Sequence, residues 1–88
     1  MPTFMAIHKM PPKALSLDQV RALSRMAQQD PVVKGRRSYG NLNEGCLVCV
    51  LDAPSRADVA NFFEKNRVPF ESITQVEFEG DGKQINAI

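Results

Sequence analysis

The chain has 88 residues, of which 43% are hydrophobic and 24% charged, with a formal net charge of +1. These values are ordinary for a globular domain, and we expect one domain spanning residues 1–88. The near-neutral charge argues against a dedicated nucleic-acid binder, and no apolar run approaches the roughly 18–20 residues of a membrane-spanning helix.

The first twelve residues lack the basic start and long apolar stretch of a secretory signal. We therefore expect a cytoplasmic protein whose cysteines stay reduced.

The first half of the sequence predicts a strand, a helix and a second strand. Residues 3–9 form a short apolar run that predicts the strand. After Pro11–Pro12, Ser16 and Gln19 have the spacing of a capping box, and an apolar stripe follows. Because Asp30–Pro31 ends the pattern, the helix is predicted over 16–30. Residues 35–40 predict the second strand.

In that second strand, period-two alternation puts Arg37 and Tyr39 on one face and Arg36 and Ser38 on the other. The Gly- and Asn-containing stretch between Gly40 and Gly45 predicts a hairpin loop.

The second half predicts a strand, a helix and a strand, followed by a tail. Residues 46–51 are apolar throughout, which is typical of a strand covered on both faces. Ser55 caps a second helix predicted over 55–66. Alternation from Ser72 to Glu79 predicts a half-buried strand. We expect the tail, residues 79–88, to be irregular.

This order of elements predicts an α+β fold of the ferredoxin-like type. In the βαββαβ arrangement a four-stranded antiparallel sheet carries both helices on one face. The first and third strands are then central, which suits the apolar run at 46–51.

The two cysteines, Cys46 and Cys49, are spaced as Cys-x-x-Cys. On a strand they point to opposite faces, with Cα atoms about 10 Å apart, beyond the roughly 7 Å limit of a disulfide. A second cysteine pair for a zinc site is missing. We therefore expect two free thiols in a core strand.

Four residues are candidates for a ligand-binding site. His8, the only histidine, stands at the end of a central strand, and Arg37 and Tyr39 share a face of the second strand. Cys49 could line a pocket. Among them only His8 is a candidate metal ligand. No catalytic triad, phosphate-binding loop or paired-carboxylate motif is present, so no catalytic residue is assigned.

The stretches SYGNLNEGCLVCVLDAPSRADV and VPFESITQVEFE resemble a family of small bacterial ferredoxin-like proteins. Most of its members have no known function, and one branch is described as nickel-binding. The Ser-Tyr pair, a cysteine followed by Ala-Pro, and later Pro, Ile and Val positions carry the resemblance: Ser38, Tyr39, Cys49, Ala53, Pro54, Pro69, Ile73 and Val76. The chain departs from the family at Arg37 and Phe62, where the family tends to have histidine. Nickel is implied by this resemblance alone.

The predicted sheet has one face that the two helices cannot cover, although its third strand is apolar on both faces. We therefore expect a homodimer of the dimeric α/β-barrel type, with the two sheets facing each other. Two functions remain open. One is a binding domain whose pocket between the sheets holds a small molecule or a metal ion such as nickel. The alternative is a cofactor-free enzyme, similar to small monooxygenases and isomerases of this architecture.

Overall fold

The computed structural model describes residues 1–88 and contains two helices, a four-stranded sheet and a two-stranded hairpin. The elements are β1 (Thr3–Lys9), α1 (Leu17–Gln29), β2 (Lys34–Asn41), β3 (Cys46–Asp52), α2 (Arg56–Lys65), β4 (Ser72–Gln75), β5 (Phe78–Gly80) and β6 (Ile85–Ala87). The large sheet has the order β2-β3-β1-β4, and every neighbouring pair is antiparallel. The ferredoxin-like prediction, with β1 and β3 central, is confirmed.

Both helices begin where the sequence predicts. The Ser16 hydroxyl accepts from the Gln19 amide, and the Gln19 side chain accepts from the Ser16 amide, which completes the capping box of α1. The Ser55 hydroxyl accepts from the Asp58 amide at the start of α2. Neither helix is long and apolar enough to cross a membrane.

Asp30, at the C-terminal end of α1, joins the two helices. Its carboxylate accepts hydrogen bonds from the amides of Val32 and Val33 and from the Lys65 ammonium group of α2. Burial opposes the charged carboxylate, but these three donors together hold the pKa of Asp30 at about 2. The contact fixes the C-terminal ends of α1 and α2 relative to each other.

The core lies between the sheet and the helices. On β1 and β3 the side chains facing the helices are buried, and they pack against Val59, Phe62 and Phe63 of α2. Over β1 and β3, the helix side of the sheet is therefore covered by the chain itself.

The hairpin loop between β2 and β3 contains Gly45, whose φ is +72°. A Cβ at this position would lie 1.9 Å from the Met10 carbonyl oxygen, so only glycine fits. In return, the Met10 amide donates to the Gly45 carbonyl at 2.9 Å. The loop predicted from Gly and Asn is thus confirmed, and it is locked against the end of β1.

A β-bulge between Gly35 and Arg37 changes which face Arg36 occupies. Strict alternation predicts Arg36 and Arg37 on opposite faces, and this is wrong because the bulge adds an unpaired residue. The Arg36 guanidinium lies 3.3 Å from the Thr3 hydroxyl and 3.5 Å from the Asp52 carboxylate, on the side away from the helices.

The last strand is shorter than predicted. β4 ends at Gln75 rather than Glu79, because its partner β1 begins at Thr3 and offers no backbone beyond that point. The final contact is the Val76 amide donating to the Thr3 carbonyl. A strand without a neighbour has no partner for its backbone groups, so the chain leaves the sheet here.

The C-terminal tail is not irregular, which corrects the expectation for residues 79–88. β5 and β6 pair as a hairpin, with Phe78 opposite Ala87. The Asp81 carboxylate accepts from two backbone amides of the turn, and Gly82 takes a φ of +94°. The Asp81 amide donates to the Gln84 carbonyl, so Gly82 and Lys83 are the two turn residues, and glycine at the first of them is typical of a type II′ hairpin turn.

Candidate functional site

His8 lies on the helix side of β1 and is completely buried. Its Nδ1 is 2.8 Å from the Pro69 carbonyl, which can only accept, so Nδ1 carries the proton. Nε2 has no hydrogen-bond partner, and the ring packs edge-on against Phe63 with centroids 4.5 Å apart. Burial lowers the pKa of His8 more than the bond to Pro69 raises it, so the ring is held neutral.

Cys49 also lies on the helix side, where it pairs with Ala6 of β1. The Ser38 hydroxyl donates to its sulfur at 3.8 Å. Burial raises the pKa of the Cys49 thiol, and the Ser38 bond offsets only part of that rise. The thiol is therefore protonated near neutral pH, and it lines a pocket as a small neutral group.

Arg37 and Tyr39 lie on the opposite side of the sheet, opposite Val50 and Val48 in the β2–β3 register. We call this side, away from the helices, the open face. Tyr39 is 62% exposed, so its hydroxyl and much of its ring are free to contact another molecule.

The four predicted site residues therefore fall into two pairs on opposite faces. His8 and Cys49 belong to the helix side, whereas Arg37 and Tyr39 belong to the open face. The four do not come together in one site: one space on the helix side is bordered by Cys49 and Arg37, a neighbouring space is bordered by Tyr39, and His8 borders neither. Whether any of them binds a ligand stays a prediction.

The open face has an apolar centre and a polar border. Met5, Ile7, Val48 and Val50 form the centre, on the two middle strands, and all four are half-buried. The border side chains are Thr3, Lys9, Arg36, Arg37, Tyr39, Asn41, Asp52, Ser72 and Thr74. The prediction that β3 is apolar on both faces is confirmed.

The β5–β6 hairpin lies at one end of this face. Glu79 is 3.8 Å from the Arg36 guanidinium, which also contacts Thr3 and Asp52. The hairpin exposes large apolar side chains: Phe78 at 57% and Ile85 at 69%. Glu79 thus attaches the hairpin beside the open face, whereas Phe78 and Ile85 lie on the other face of the hairpin and are not covered by the chain.

A pocket of about 310 Å³ lies on the helix side, between α1 and the edge strand β2. We call it the α1–β2 pocket. Its floor contains Cys49, Leu51, Phe62 and Phe63, and its walls include Leu23 and Ala27 of α1. The sequence does not predict this pocket, because strict alternation puts Gly35 on the opposite side of β2 from Ser38 and Gly40. The bulge brings all three to the helix side.

The residues of one chain do not fit a nickel site. Nickel in proteins favours imidazole and thiolate ligands. His8 offers one imidazole nitrogen, Nε2, and this atom has no hydrogen-bond partner in the structure. Cys46 and Cys49 face opposite sides of the sheet. No group of three or more His, Cys, Asp or Glu side chains comes together to hold an ion. Metal binding by His8 therefore stays a prediction, since no group of ligands surrounds this residue.

Comparison with known proteins now decides the family. Residues 4–76 match the family described as "Nickel responsive protein SCO4226-like". The chain belongs to the SCO4226-like family. This confirms the resemblance found in the sequence, and it leaves the β5–β6 hairpin outside the matched region.

The fold is shared with a solved structure, the crystal structure of SCO4226 from Streptomyces coelicolor A3(2). The TM-score is 0.73 at 20% sequence identity, over 89% of this chain and 99% of the other. At that identity the likeness shows the fold alone. No curated protein gives a significant match.

Proposed function

We propose that this SCO4226-like protein is a small-molecule-binding homodimer whose two open faces meet and enclose the ligand. The observation that carries the proposal is the half-buried apolar centre of the open face, formed by Met5, Ile7, Val48 and Val50. An antiparallel sheet with one face in water normally shows polar residues there. A second copy supplies the same apolar surface, and closed two-fold pairs are the commonest assembly.

Size supports the same conclusion. A domain of 88 residues buries only roughly 60–68% of its unfolded surface, so a partner adds to a small core. A typical stable interface buries about 800 Å² on each partner. The exposed apolar side chains of the β5–β6 hairpin, Phe78 and Ile85, are further apolar surface available to a partner.

Arg37 and Tyr39 give the enclosed space its polar groups. Both stand on β2, at the border of the apolar centre, and neither forms a salt bridge or side-chain hydrogen bond within its own chain. A guanidinium and a phenol beside an apolar surface suit a ligand that combines an apolar body with an anionic or carbonyl group. His8 and Cys49, on the far side of the sheet, take no part in this site.

Nickel is not the ligand we propose, although the family's description names a response to it. The donor set of one chain does not assemble an ion site, as His8 and the two opposed cysteines show. Equilibrium dialysis against Ni²⁺ is expected to leave less than one ion per chain. A stoichiometric ion that disappears in His8→Ala would instead establish His8 as a ligand.

Native mass spectrometry of the purified protein tests binding directly. We expect a dimer that carries a small organic molecule, and we expect Arg37→Ala with Tyr39→Ala to lose it. Arg25→Ala, on the exposed side of α1, is the matched control that should keep it. A wild-type dimer with no bound molecule, or equal retention in both variants, would contradict the proposed site.

A further inference from the structure

The α1–β2 pocket lies within a single chain, so it does not depend on the proposed dimer. It exists because three positions of β2 that face the helix layer carry small residues: Gly35, Ser38 and Gly40. At one end α1 approaches closely, with Ala27 only 3.3 Å from where a Gly35 Cβ would stand. Farther along β2 the gap opens, and Leu23 of α1 stays half-buried above it.

The pocket is elongated. A second space of about 130 Å³ shares Val20 and Ser38 with the main pocket and is also lined by Tyr39, Leu42 and Leu47. Together the two spaces follow α1 along the edge strand. Their size is at the lower end of the roughly 300–1,000 Å³ seen for small-molecule sites.

The walls of this pocket are mainly apolar, and its charged groups are all basic. Its floor residues Cys49 and Leu51 are buried, and Cys49 is a neutral thiol there. These groups are Arg21 at the solvent side of α1 and Arg36 and Arg37 on β2, and no Asp or Glu lines either space. Arg21 is paired with Asp18 at 2.9 Å, but both side chains are exposed, and such surface pairs contribute little to stability. An incoming anion can therefore replace the Asp18 carboxylate.

We propose that the α1–β2 pocket binds an elongated amphipathic acid. The apolar body lies between Leu23 and the floor formed by Leu51 and Phe62, and the acid group lies at the mouth beside Arg21. The free edge of β2 borders the same opening, since β2 has a neighbour only on its β3 side. Unpaired backbone amides there are additional donors for the acid.

The probe for this site is anilinonaphthalene sulfonate, a dye with an apolar ring system and an anionic group, whose fluorescence rises on binding. We expect saturable binding of one dye per chain. Ser38→Phe fills the pocket from β2 and should weaken binding at least about tenfold. Ser24→Phe fills it from α1 and serves if the first variant fails to fold. Near-ultraviolet circular dichroism checks that each variant is folded.

The acid group is tested by a matched pair of variants on α1. Arg21→Glu should weaken dye binding roughly three- to tenfold, since it replaces an attraction with a repulsion at an exposed site. Arg25→Glu changes the charge equally but lies outside the pocket, so it should leave binding unchanged. Decanoate should displace the dye, whereas decyltrimethylammonium, with the same chain and opposite charge, should displace it far less.

Three results would overturn the proposal. Unchanged dye binding in a folded Ser38→Phe or Ser24→Phe protein would show that the dye binds elsewhere. Equal effects of Arg21→Glu and Arg25→Glu, or equal displacement by both detergents, would remove the acid from the proposal. Loss of binding in Val48→Lys would place the dye on the open face, and that result would leave the dimer proposal standing.

Discussion

The two faces of the four-stranded sheet are built from the same strands but differ in how far their side chains are buried. On the helix side, alternate residues of β1 and β3 are buried, including Ala6, His8 and Leu47. On the open face, their neighbours Met5, Ile7 and Val48 are equally apolar but only half-buried. Both faces thus have an apolar centre on β1 and β3, and only the helix side has a cover within the chain. This difference is the reason for proposing that a second copy covers the open face.

The largest expected effect is the difference in stability cost between a mutation in the packed core of the helix side and one on the exposed hairpin. Phe63→Ala removes a ring with no exposed surface, and we expect it to cost about 3–5 kcal/mol in the free energy of unfolding. Phe78→Ala removes a ring that is 57% exposed and should stay within about 0.5 kcal/mol in a monomeric background such as Val48→Lys. Chemical denaturation measures both. Similar costs at the two positions would refute the contrast in packing.

The reactivity of the two cysteines measures how accessible each face of the sheet is. Cys46 is half-buried on the open face, whereas Cys49 is buried on the helix side with its pKa raised. Thiolates react faster than thiols, so a thiol reagent should label Cys46 at least about tenfold faster than Cys49 in the folded monomer. In denaturant, without reductant, two free thiols per chain are expected. Faster labelling of Cys49 would place it outside the core.

A smaller effect comes from His8, whose folded pKa is lowered below its usual value of about 6.5. The neutral ring is the form that the fold accommodates, so its contribution is complete above pH 6.5. Stability is lost as the pH falls from 6.5 through the folded pKa, with a slope of at most about 1.4 kcal/mol per pH unit. His8→Leu should be less stable overall but should show a shallower dependence between pH 7 and 5. Parallel curves would show that His8 does not titrate on unfolding.

Most of the fold could be predicted because local signals agreed with the global pattern. The Ser16–Gln19 capping box, the Ser55 cap and the apolar run at 46–51 each correspond to an observed element. The length of the last strand could not be predicted, because it depends on where β1 begins and not on residues 76–79 themselves. The β5–β6 hairpin could not be predicted from Gly82 alone, because each of its strands has 3 residues and all of them are exposed.

The candidate site was harder to predict than the fold. One bulged residue in β2 moves Arg36 to the open face and brings Gly35 and Ser38 to the same side. Alternation alone cannot show a bulge, because a single extra residue reverses every face assignment before or after it. The sequence puts His8 at the end of a central strand, but its position opposite Leu47 on the helix side places it in the core.

The mass of the native protein in solution tests most directly the claim that a second copy covers the open face. Light scattering at low micromolar concentration should give twice the chain mass of 9.8 kDa for the wild type. Val48→Lys places a charge in the apolar centre and should give 9.8 kDa, while Val32→Lys, exposed and outside the sheet, should remain a dimer. A wild-type mass of 9.8 kDa, or a Val48→Lys protein that stays dimeric, would contradict the account.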